Sequence, residues 1–222
     1  MKRQAIVVGA APLDSSVARK RLKKSLRNLG ALRIAVDGGM EIFRALKVLP
    51  DLYVGDLDSV SNVPSTVPAV FLPHQKNYSD LKAALEICSQ LGVSHVEAWA
   101  VTGGRADHHW ASIEEMSASL QELKGCRLEA YGEDAAFFWV TPSAPLKLVT
   151  RPGTVVSIFN LYRAVGVTTR GLAYNLSAAS LHSGSHGLSN YSRSKTVGVS
   201  VRKGVALVIV PSQRGQIDVT SV

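Results

Sequence analysis

The chain has 222 residues, which suffices for one large domain or two small ones with buried cores. Hydrophobic residues make up 46% and charged residues 19%, so the composition excludes a disordered chain. The formal net charge of +8 is compatible with nucleotides, nucleic acids and acidic lipids, and it does not distinguish between these anionic partners.

Strands and helices alternate in the first part of the chain. Short apolar runs predict strands at residues 4–8, 33–36, 52–54, 70–72 and 95–101. Apolar residues at helical spacing predict helices at residues 15–29, 40–46, 80–91 and 105–123. This alternation predicts a parallel sheet covered by helices, with ligands bound beyond the carboxyl ends of the strands.

The pattern changes from about residue 128 onward. Short strands separated by Pro, Gly, Ser and Asn are predicted at residues 128–131, 136–140, 155–160, 165–169, 181–182, 196–201 and 205–210. Such even spacing is typical of a small antiparallel sandwich or barrel. We therefore predict an α/β + β fold, with an N-terminal, Rossmann-like parallel-sheet domain at residues 1–142 and an antiparallel β-sandwich at residues 143–222.

Neither the basic residues nor the cysteines indicate a further site. The densest basic segment, residues 19–24, has helical spacing, and we interpret it as a solvated helix face without a nucleic-acid or membrane partner. The apolar run at residues 5–8 is broken by Gly9, too early for a signal peptide or membrane span. Cys88 and Cys126 lack metal-ligand spacing, so we expect free thiols and a cytoplasmic location.

Two aspartates separated by one apolar residue follow the third predicted strand. If the strand geometry persists, Asp56 and Asp58 point to one side while Leu57 packs inward. Close carboxylates repel, and a hard divalent cation removes that cost and bridges to phosphate oxygens. Asp37, followed by Gly38 at the end of the neighbouring strand, adds a third carboxylate.

The alternative is that these aspartates only form turns. The convergence of three carboxylates favours a metal site over that alternative. If this is a metal site, Asp56→Ala or Asp58→Ala should not destabilise the metal-free fold, because losing one carboxylate reduces the repulsion within the group.

A glycine-rich turn at the entrance of a predicted helix supplies the opposite charge. Its free N–H groups predict an anion site, and Arg105 adds a guanidinium fork that matches phosphate oxygens. Asp107 either orients Arg105 or caps the helix, and His109 is interpreted as structural. The candidate nucleotide contacts of this turn are Gly103, Gly104, Arg105, Asp107 and His108.

Three further positions complete the candidate site. Lys76 precedes the helix at residues 80–91 and is a candidate phosphate contact, and Gly9 is a weaker candidate for nucleotide contact. Asp80 either caps that helix or completes the metal shell. Together these residues indicate a Mg²⁺–nucleotide site without a Walker lysine loop, suited to phosphoryl transfer or hydrolysis.

At these segments the sequence resembles the thiamine diphosphokinases (thiamin pyrophosphokinases). That family carries, in order, a D-G-G turn, a G-D-x-D-S turn, a K-D-x-T-D segment and a G-x-R-x-D-H turn, which have counterparts here at residues 37–39, 55–59, 76–80 and 104–108. Its later T-x-G-L-x-Y-x-L, G-x-S-N and G-x-x-L-V-I stretches have counterparts at residues 169–176, 187–190 and 204–210.

The resemblance implies a reaction and an assembly. ATP would give its terminal diphosphate to the hydroxyl of thiamine and release AMP. Residues 1–142 would bind ATP and Mg²⁺ and carry catalysis, and residues 143–222 would bind thiamine and form a homodimer with the active site between subunits. A diphosphokinase for another hydroxymethyl heterocycle, such as a pterin, is the alternative that keeps the fold.

The resemblance also implies roles for single residues. Asp56, Asp58 and Asp80 would hold Mg²⁺. Asp37 would lie near the reacting hydroxyl of thiamine and Arg105 would stabilise phosphate charge. The residues carried over for thiamine are Asp37, Ser189 and Asn190; without the resemblance, we interpret the last two as a hairpin turn.

The sequence departs from the family pattern at three positions. Asn77 stands where the family has aspartate, Ser79 where it has threonine, and Ser112 where many relatives have asparagine. The loss of a carboxylate at Asn77 raises the further alternative of a catalytically silent nucleotide-binding homologue. The aromatic residue that stacks on the substrate is not identified, because the tryptophans all have apolar neighbours that predict the core: Trp99, Trp110 and Trp139.

Overall fold

A computed structural model describes residues 4–60, 62–212 and 220–221. The chain forms two compact units, Met1–Glu133 and Asp134–Val222. The strand at Ala135–Val140 therefore belongs to the second unit, whereas the sequence placed the boundary after it, near Ser143.

The first unit is a parallel sheet with four helices, as predicted. Its strands are β1 (Gln4–Val8), β2 (Ala31–Val36), β3 (Leu52–Gly55), β4 (Ala69–Phe71), β5 (His95–Trp99) and β6 (Arg127–Tyr131). Its helices are α1 (Ser16–Ser25), α2 (Gly39–Leu46), α3 (Asp80–Gln90) and α4 (Ala106–Ser119). Neighbouring strands pair in the order β6-β5-β1-β2-β3-β4.

This strand order creates a crevice at β1. The chain proceeds from β1 outward to β4 on one side, and then crosses to place β5 and β6 on the other side of β1. Loops leaving β2 and β5 therefore diverge from the end of β1, which is where open parallel sheets bind ligands. Ile6 and Val7 of β1 are completely buried, as expected for a central strand that pairs with β2 and β5.

Several predicted elements end earlier in the structure. Helix α1 ends at Ser25 and not at residue 29, and α4 ends at Ser119 and not at residue 123. Strand β5 ends at Trp99 because the next residue, Ala100, has a left-handed φ of 52° and begins a turn. None of the helices in the described ranges is long and apolar enough to cross a membrane.

The second unit consists of two antiparallel sheets. Its strands are β7 (Ala135–Val140), β8 (Leu146–Val149), β9 (Val155–Val165), β10 (Thr168–Arg170), β11 (Asn190–Tyr191), β12 (Thr196–Ser200), β13 (Lys203–Pro211) and β14 (Thr220–Ser221). Within this unit the strands pair as β11-β9-β13-β7 and as β10-β12-β8-β14.

The fold class is confirmed, with local differences in this unit. Strand β8 was not predicted, because prolines on either side hide its alternation of buried and exposed residues. The strand predicted at residues 181–182 is wrong: Leu181 is buried and donates its N–H to the carbonyl of Ala164, but it belongs to none of the named strands.

Helix α2 begins so close to β1 that only glycine fits at its first position. A Cβ added to Gly39 would lie 1.9 Å from the carbonyl oxygen of Val8. We expect Gly39→Ala to lower the free energy of unfolding by about 3 kcal/mol, because the clash involves backbone that cannot move aside. Urea denaturation measures the effect.

Gly198→Ala is the matched control for this substitution. A Cβ at Gly198 would meet its nearest neighbour, Arg170 Cβ, at 3.9 Å, an ordinary van der Waals distance. We expect its unfolding free energy to stay within about 1 kcal/mol of the wild-type value. Equal stability losses in the two variants would contradict the proposed role of close packing at Gly39.

Candidate active site

A cleft of about 700 Å³ lies at the carboxyl edge of the parallel sheet in the first unit. Its walls are the turns that follow β1, β2, β3, β4 and β5, so five strand ends contribute to one site. Of the candidate site residues, those that line the cleft are Gly9, Asp37, Asp58, Lys76, Asp80, Gly103, Gly104, Arg105 and His108. Ser79 and Ser112, two of the departures from the family pattern, also line it.

Three aspartates meet in this region. Ligand atoms of Asp37, Asp56 and Asp58 all lie within 4.8 Å of one another, and among the described residues these three form a group suited to a metal ion. All three offer carboxylate oxygens, the hard donors that Mg²⁺ requires, so the donor set fits this ion. The strand ends predicted this convergence of Asp37 with Asp56 and Asp58, whereas the family resemblance placed Asp37 near the substrate hydroxyl.

Backbone conformation explains how the aspartates converge. Asp37 has a left-handed φ of 44°, and its N–H donates to the carbonyl of Val54 at 2.9 Å, which ties the end of β2 to β3. Leu57 also has a left-handed φ, of 69°, and is exposed. The prediction that Leu57 packs inward is therefore wrong, because the strand geometry ends at Gly55.

Tyr53 is a site residue that the sequence analysis missed. It is completely buried in β3, and its hydroxyl donates to Asp37 Oδ1 at 3.4 Å. Burial and the negative charge of Asp37 raise the pKa of Tyr53 to about 12, so the phenol stays protonated and can donate. A tyrosine inside an apolar strand gave no signal in the sequence, because its partner belongs to another strand end.

Lys76 connects two carboxylates. Its ammonium donates to Asp56 Oδ2 at 2.7 Å, and it lies 2.9 Å from Asp80 Oδ1. Burial by itself lowers the pKa of Lys76, but the hydrogen bond to Asp56 and the ion pair with Asp80 outweigh burial and leave the pKa raised. The hydrogen bond from Lys76 holds the pKa of Asp56 below its ordinary value.

Asp80 lies outside the group of three aspartates. It is the first residue of α3, and Lys76 stands between it and Asp56. Burial raises the pKa of Asp80, and Lys76 partly offsets this shift. Ser79, and not Asp80, caps the helix, accepting the N–H of Lys82 at 3.2 Å. The role of Asp80 as a metal ligand stays a prediction.

The start of α3 is also fixed by a glutamate that the sequence did not indicate. Glu115 of α4 accepts the Ser79 N–H at 3.2 Å and the Ser79 hydroxyl. This clamp joins α3 to α4, so the segment containing Lys76 and the glycine-rich turn before α4 are held in one framework. Glu115 is separated from Ser79 by a whole strand and helix, and for that reason sequence spacing did not reveal it.

The glycine-rich turn before α4 has a left-handed backbone at both of its glycines, and its role as an anion site stays a prediction. Gly103 and Gly104 have φ values of 100° and 69°, a region that favours glycine. The Gly103 N–H donates to His109 Nδ1 at 2.9 Å, which supports the structural interpretation of His109. His108 is exposed and lines the cleft.

Arg105 and Asp107 form an exposed ion pair. The guanidinium donates to both carboxylate oxygens, at 3.2 and 2.6 Å. This pairing lowers the pKa of Asp107 to about 2. Asp107 therefore orients Arg105, one of the two alternatives drawn from the sequence, and it also accepts the N–H of His108 at 3.0 Å.

Ser189 and Asn190 lie in the second unit. Ser189 has a left-handed φ of 58°, and its N–H donates to Ser157 Oγ at 3.0 Å. The amide of Asn190 donates to the carbonyl of Tyr174 at 2.7 Å and accepts the N–H of Tyr174 at 3.2 Å. Asn190 therefore has a structural role in this unit, and thiamine contact by these residues stays a prediction.

The tryptophans and cysteines also take definite positions. Trp99 and Trp139 are buried as predicted, but Trp110 is 59% exposed on α4, so its assignment to the core is wrong. Its apolar neighbours Ala106 and Ala111 are exposed as well, and the buried side chains of α4 begin only at Ile113. Burial raises the pKa of Cys88 to about 12 and that of Cys126 to about 11, so neither supplies a thiolate at neutral pH.

Comparison with protein families is decisive. A family model described as thiamin pyrophosphokinase, catalytic domain, matches residues 24–126. A second, described as thiamin pyrophosphokinase, vitamin B1 binding domain, matches residues 146–206. The chain belongs to the thiamin pyrophosphokinase family. This confirms the resemblance found in the sequence motifs, which lie in both matched regions.

Solved structures of thiamin pyrophosphokinases share the fold. The enzyme from Bacillus subtilis has a TM-score of 0.79 at 18% identity and covers 95% of this chain and 99% of its own. The one from Geobacillus thermodenitrificans has a TM-score of 0.77 at 18% identity, covering 96% and 100%. The yeast protein has a TM-score of 0.72 at 14% identity, covering 95% and 86%. Curated protein sequences give no match.

The ion pair with Lys76 changes the stability expected for one aspartate variant. We expect Asp56→Asn to lower the unfolding free energy of the metal-free protein by about 2 kcal/mol. The ammonium of Lys76 then loses one mostly buried carboxylate partner, Asp56, and keeps the other, Asp80. Asp58 is exposed, and Asp58→Asn stays within about 0.5 kcal/mol of wild type. Urea denaturation in EDTA measures both.

The stability loss in Asp56→Asn also depends on pH. Because the folded-state pKa of Asp56 is depressed, its ionic contribution is present above the ordinary carboxyl pKa and is lost as pH falls through the depressed value. The difference in unfolding free energy between wild type and Asp56→Asn is therefore largest at neutral pH and decreases in acid. A difference that grows in acid would contradict the ion-pair explanation.

Proposed function

We propose that the protein is a thiamine diphosphokinase, which transfers the terminal diphosphate of ATP to the hydroxyl of thiamine and releases AMP. The observation that carries the proposal is the convergence of Asp37, Asp56 and Asp58 at the crevice beside β1, within the region matched by the catalytic family model. A compact carboxylate group beside a glycine-rich helix entrance suits a metal–polyphosphate complex.

The aspartates would hold Mg²⁺. Asp56 and Asp58 are the proposed main ligands. Asp37 is added as a ligand because its carboxylate lies close to both of them, and Asp80 is added because of the family motif. When bound, Mg²⁺ neutralises charge on the phosphate oxygens of ATP and fixes their position. Asp37 also accepts from Tyr53, which leaves its second oxygen to face a ligand.

The glycine-rich turn would hold the phosphates of ATP. Gly103 and Gly104 present backbone near the N-terminal end of α4, where the helix dipole favours anions. Arg105 offers charge-assisted hydrogen bonds, and its exposed pairing with Asp107 can be exchanged for phosphate at little cost. Gly9, Lys76 and His108 complete the proposed nucleotide contacts on the cleft wall.

The chemical step needs positioning more than covalent catalysis. The thiamine hydroxyl oxygen forms a bond to the β-phosphorus of ATP, and the bond from that phosphorus to the bridging α,β-oxygen breaks, so AMP leaves with this oxygen. The hydroxyl proton passes to water. Asp37 is the proposed residue beside this hydroxyl. We propose that thiamine also contacts Ser189 and Asn190, and that the protein acts as a homodimer; the vitamin B1 binding family model supports thiamine binding by the second unit.

Product analysis tests this function directly. The purified protein is incubated with ATP, Mg²⁺ and thiamine, and we expect thiamine diphosphate and AMP in equal amounts. ADP in place of AMP would contradict diphosphate transfer. Turnover of a hydroxymethyl pterin without turnover of thiamine would assign the same chemistry to another acceptor.

The metal-binding aspartates are tested by activity. We expect Asp58→Asn to lower kcat/KM by about a thousandfold, because one carboxylate of the metal site is lost. Asp14→Asn is the matched control, since Asp14 is exposed and pairs with Arg19 away from the cleft walls. Retained turnover in Asp58→Asn would place the metal elsewhere.

The departure at Asn77 permits one more distinction. If the chain is a silent homologue, it binds ATP without releasing AMP, and Asn77→Asp restores turnover by supplying the family carboxylate. If the proposed function is right, the wild-type protein already turns over, and Asn77 is a tolerated departure. Measuring AMP release by both proteins in parallel separates the two outcomes.

A further inference from the structure

The ammonium group of Lys76 lies between two carboxylates of the acidic site. Its Nζ lies 2.7 Å from Asp56 Oδ2, 2.9 Å from Asp80 Oδ1 and 3.2 Å from the carbonyl oxygen of Pro73. The contacts with Asp56 Oδ2 and the Pro73 carbonyl are hydrogen bonds, whereas the contact with Asp80 Oδ1 is an ion pair in which that oxygen accepts no hydrogen bond from the described residues. The side chains of Lys76, Asp56 and Asp80 are only 9%, 8% and 14% exposed, so the ion pairs are poorly screened by water.

Asp56 belongs both to this ion-pair cluster and to the group of three aspartates. Its Oδ2 faces Lys76 and its Oδ1 accepts the backbone N–H of Asp58 at 3.3 Å. Ligand atoms of Asp37, Asp56 and Asp58 lie within 4.8 Å of one another. A divalent cation held by Asp56 would therefore be next to the ammonium of Lys76, and two neighbouring cations repel each other.

The same contacts explain why Asp80 stands apart from the three aspartates. Asp80 faces the ammonium, and Lys76 occupies the space between Asp80 and Asp56. A metal ion that uses both Asp56 and Asp80, as the family motif implies, has to take over the position of this ammonium. Lys76 and the metal are alternative counter-ions for the same two carboxylates.

We propose that Lys76 is an internal counter-cation that competes with the divalent metal: it neutralises Asp56 and Asp80 in the metal-free chain and is displaced from them when the metal binds. The proposal rests on the proposed function, because it assumes a metal at the aspartates. The displaced ammonium remains on the cleft wall, where a phosphate oxygen of the nucleotide is its new partner. Metal and nucleotide therefore bind cooperatively, since the phosphate stabilises the displaced position of Lys76.

Metal affinity without nucleotide tests the proposal. Mn²⁺ serves as the probe, and electron paramagnetic resonance measures free Mn²⁺ during a titration. Lys76→Met removes the charge and keeps a long side chain, and we expect its Kd for Mn²⁺ to be lower than that of wild type by at least about tenfold. Its metal-free melting temperature is expected to fall, and its rise on adding Mn²⁺ to exceed that of wild type.

Two control variants separate charge from other effects. Lys82→Met removes a lysine of α3 that pairs with Glu122 at 3.0 Å and Glu86 at 3.4 Å, so its Mn²⁺ affinity should match wild type. Lys76→Arg keeps the positive charge and should also retain an affinity near that of wild type. ATP should strengthen Mn²⁺ binding less in Lys76→Met than in wild type.

An unchanged or weaker Mn²⁺ affinity in Lys76→Met overturns the proposal, because Lys76 would then only support the aspartates. Mn²⁺ binding by neither protein overturns it as well. If Lys76→Met does not fold, ammonium NMR of the wild type decides: the Lys76 signal, identified by its loss in Lys76→Arg, shifts on adding Mg²⁺, and an unchanged signal overturns the proposal. None of these measurements uses thiamine or turnover, so failure of the proposed reaction is recognised separately, in the product analysis.

Discussion

Repulsion between aspartates at one edge of a sheet is the constraint on which the site depends. Asp37, Asp56 and Asp58 converge there, and Asp80 lies beyond Lys76. Like charges this close destabilise a fold unless a cation offsets them. In the chain itself the cation is Lys76, and in the working protein we propose Mg²⁺. The rest of the first unit maintains an arrangement that the carboxylates alone would oppose.

The strand order supplies the rigid part of that arrangement. With β1 in the centre and β2 and β5 on either side, the turns after these strands open toward one cleft. Left-handed residues end the strands abruptly at Asp37 and Ala100, and the turns that begin there line the cleft. Hydrogen bonds between Ser79 and Glu115 then join α3 to α4. They fix the segment that contains Lys76 and Asp80 relative to the glycine-rich turn before α4.

The fold is shared with solved thiamin pyrophosphokinases at low overall identity. The Bacillus subtilis structure shares 18% of residues over nearly the whole length, yet the TM-score is 0.79. Most positions only need to be apolar and of suitable size, which many sequences satisfy. The turns after the strands are more restrictive, because carboxylates, glycines and an arginine are needed there for charge and backbone shape. This explains why short motifs identify the family where overall similarity does not.

The sequence by itself determined the α/β + β class, the order of the elements and the convergence of Asp37, Asp56 and Asp58. These follow from local periodicity and from the rule that parallel strands end at one edge. Only the tertiary structure decided that Tyr53 donates to Asp37, that Lys76 bridges Asp56 and Asp80, and that Trp110 is exposed. The physical reason is that such partners come from different strands, turns and helix faces, and their contacts depend on how those elements pack and not on spacing along the chain.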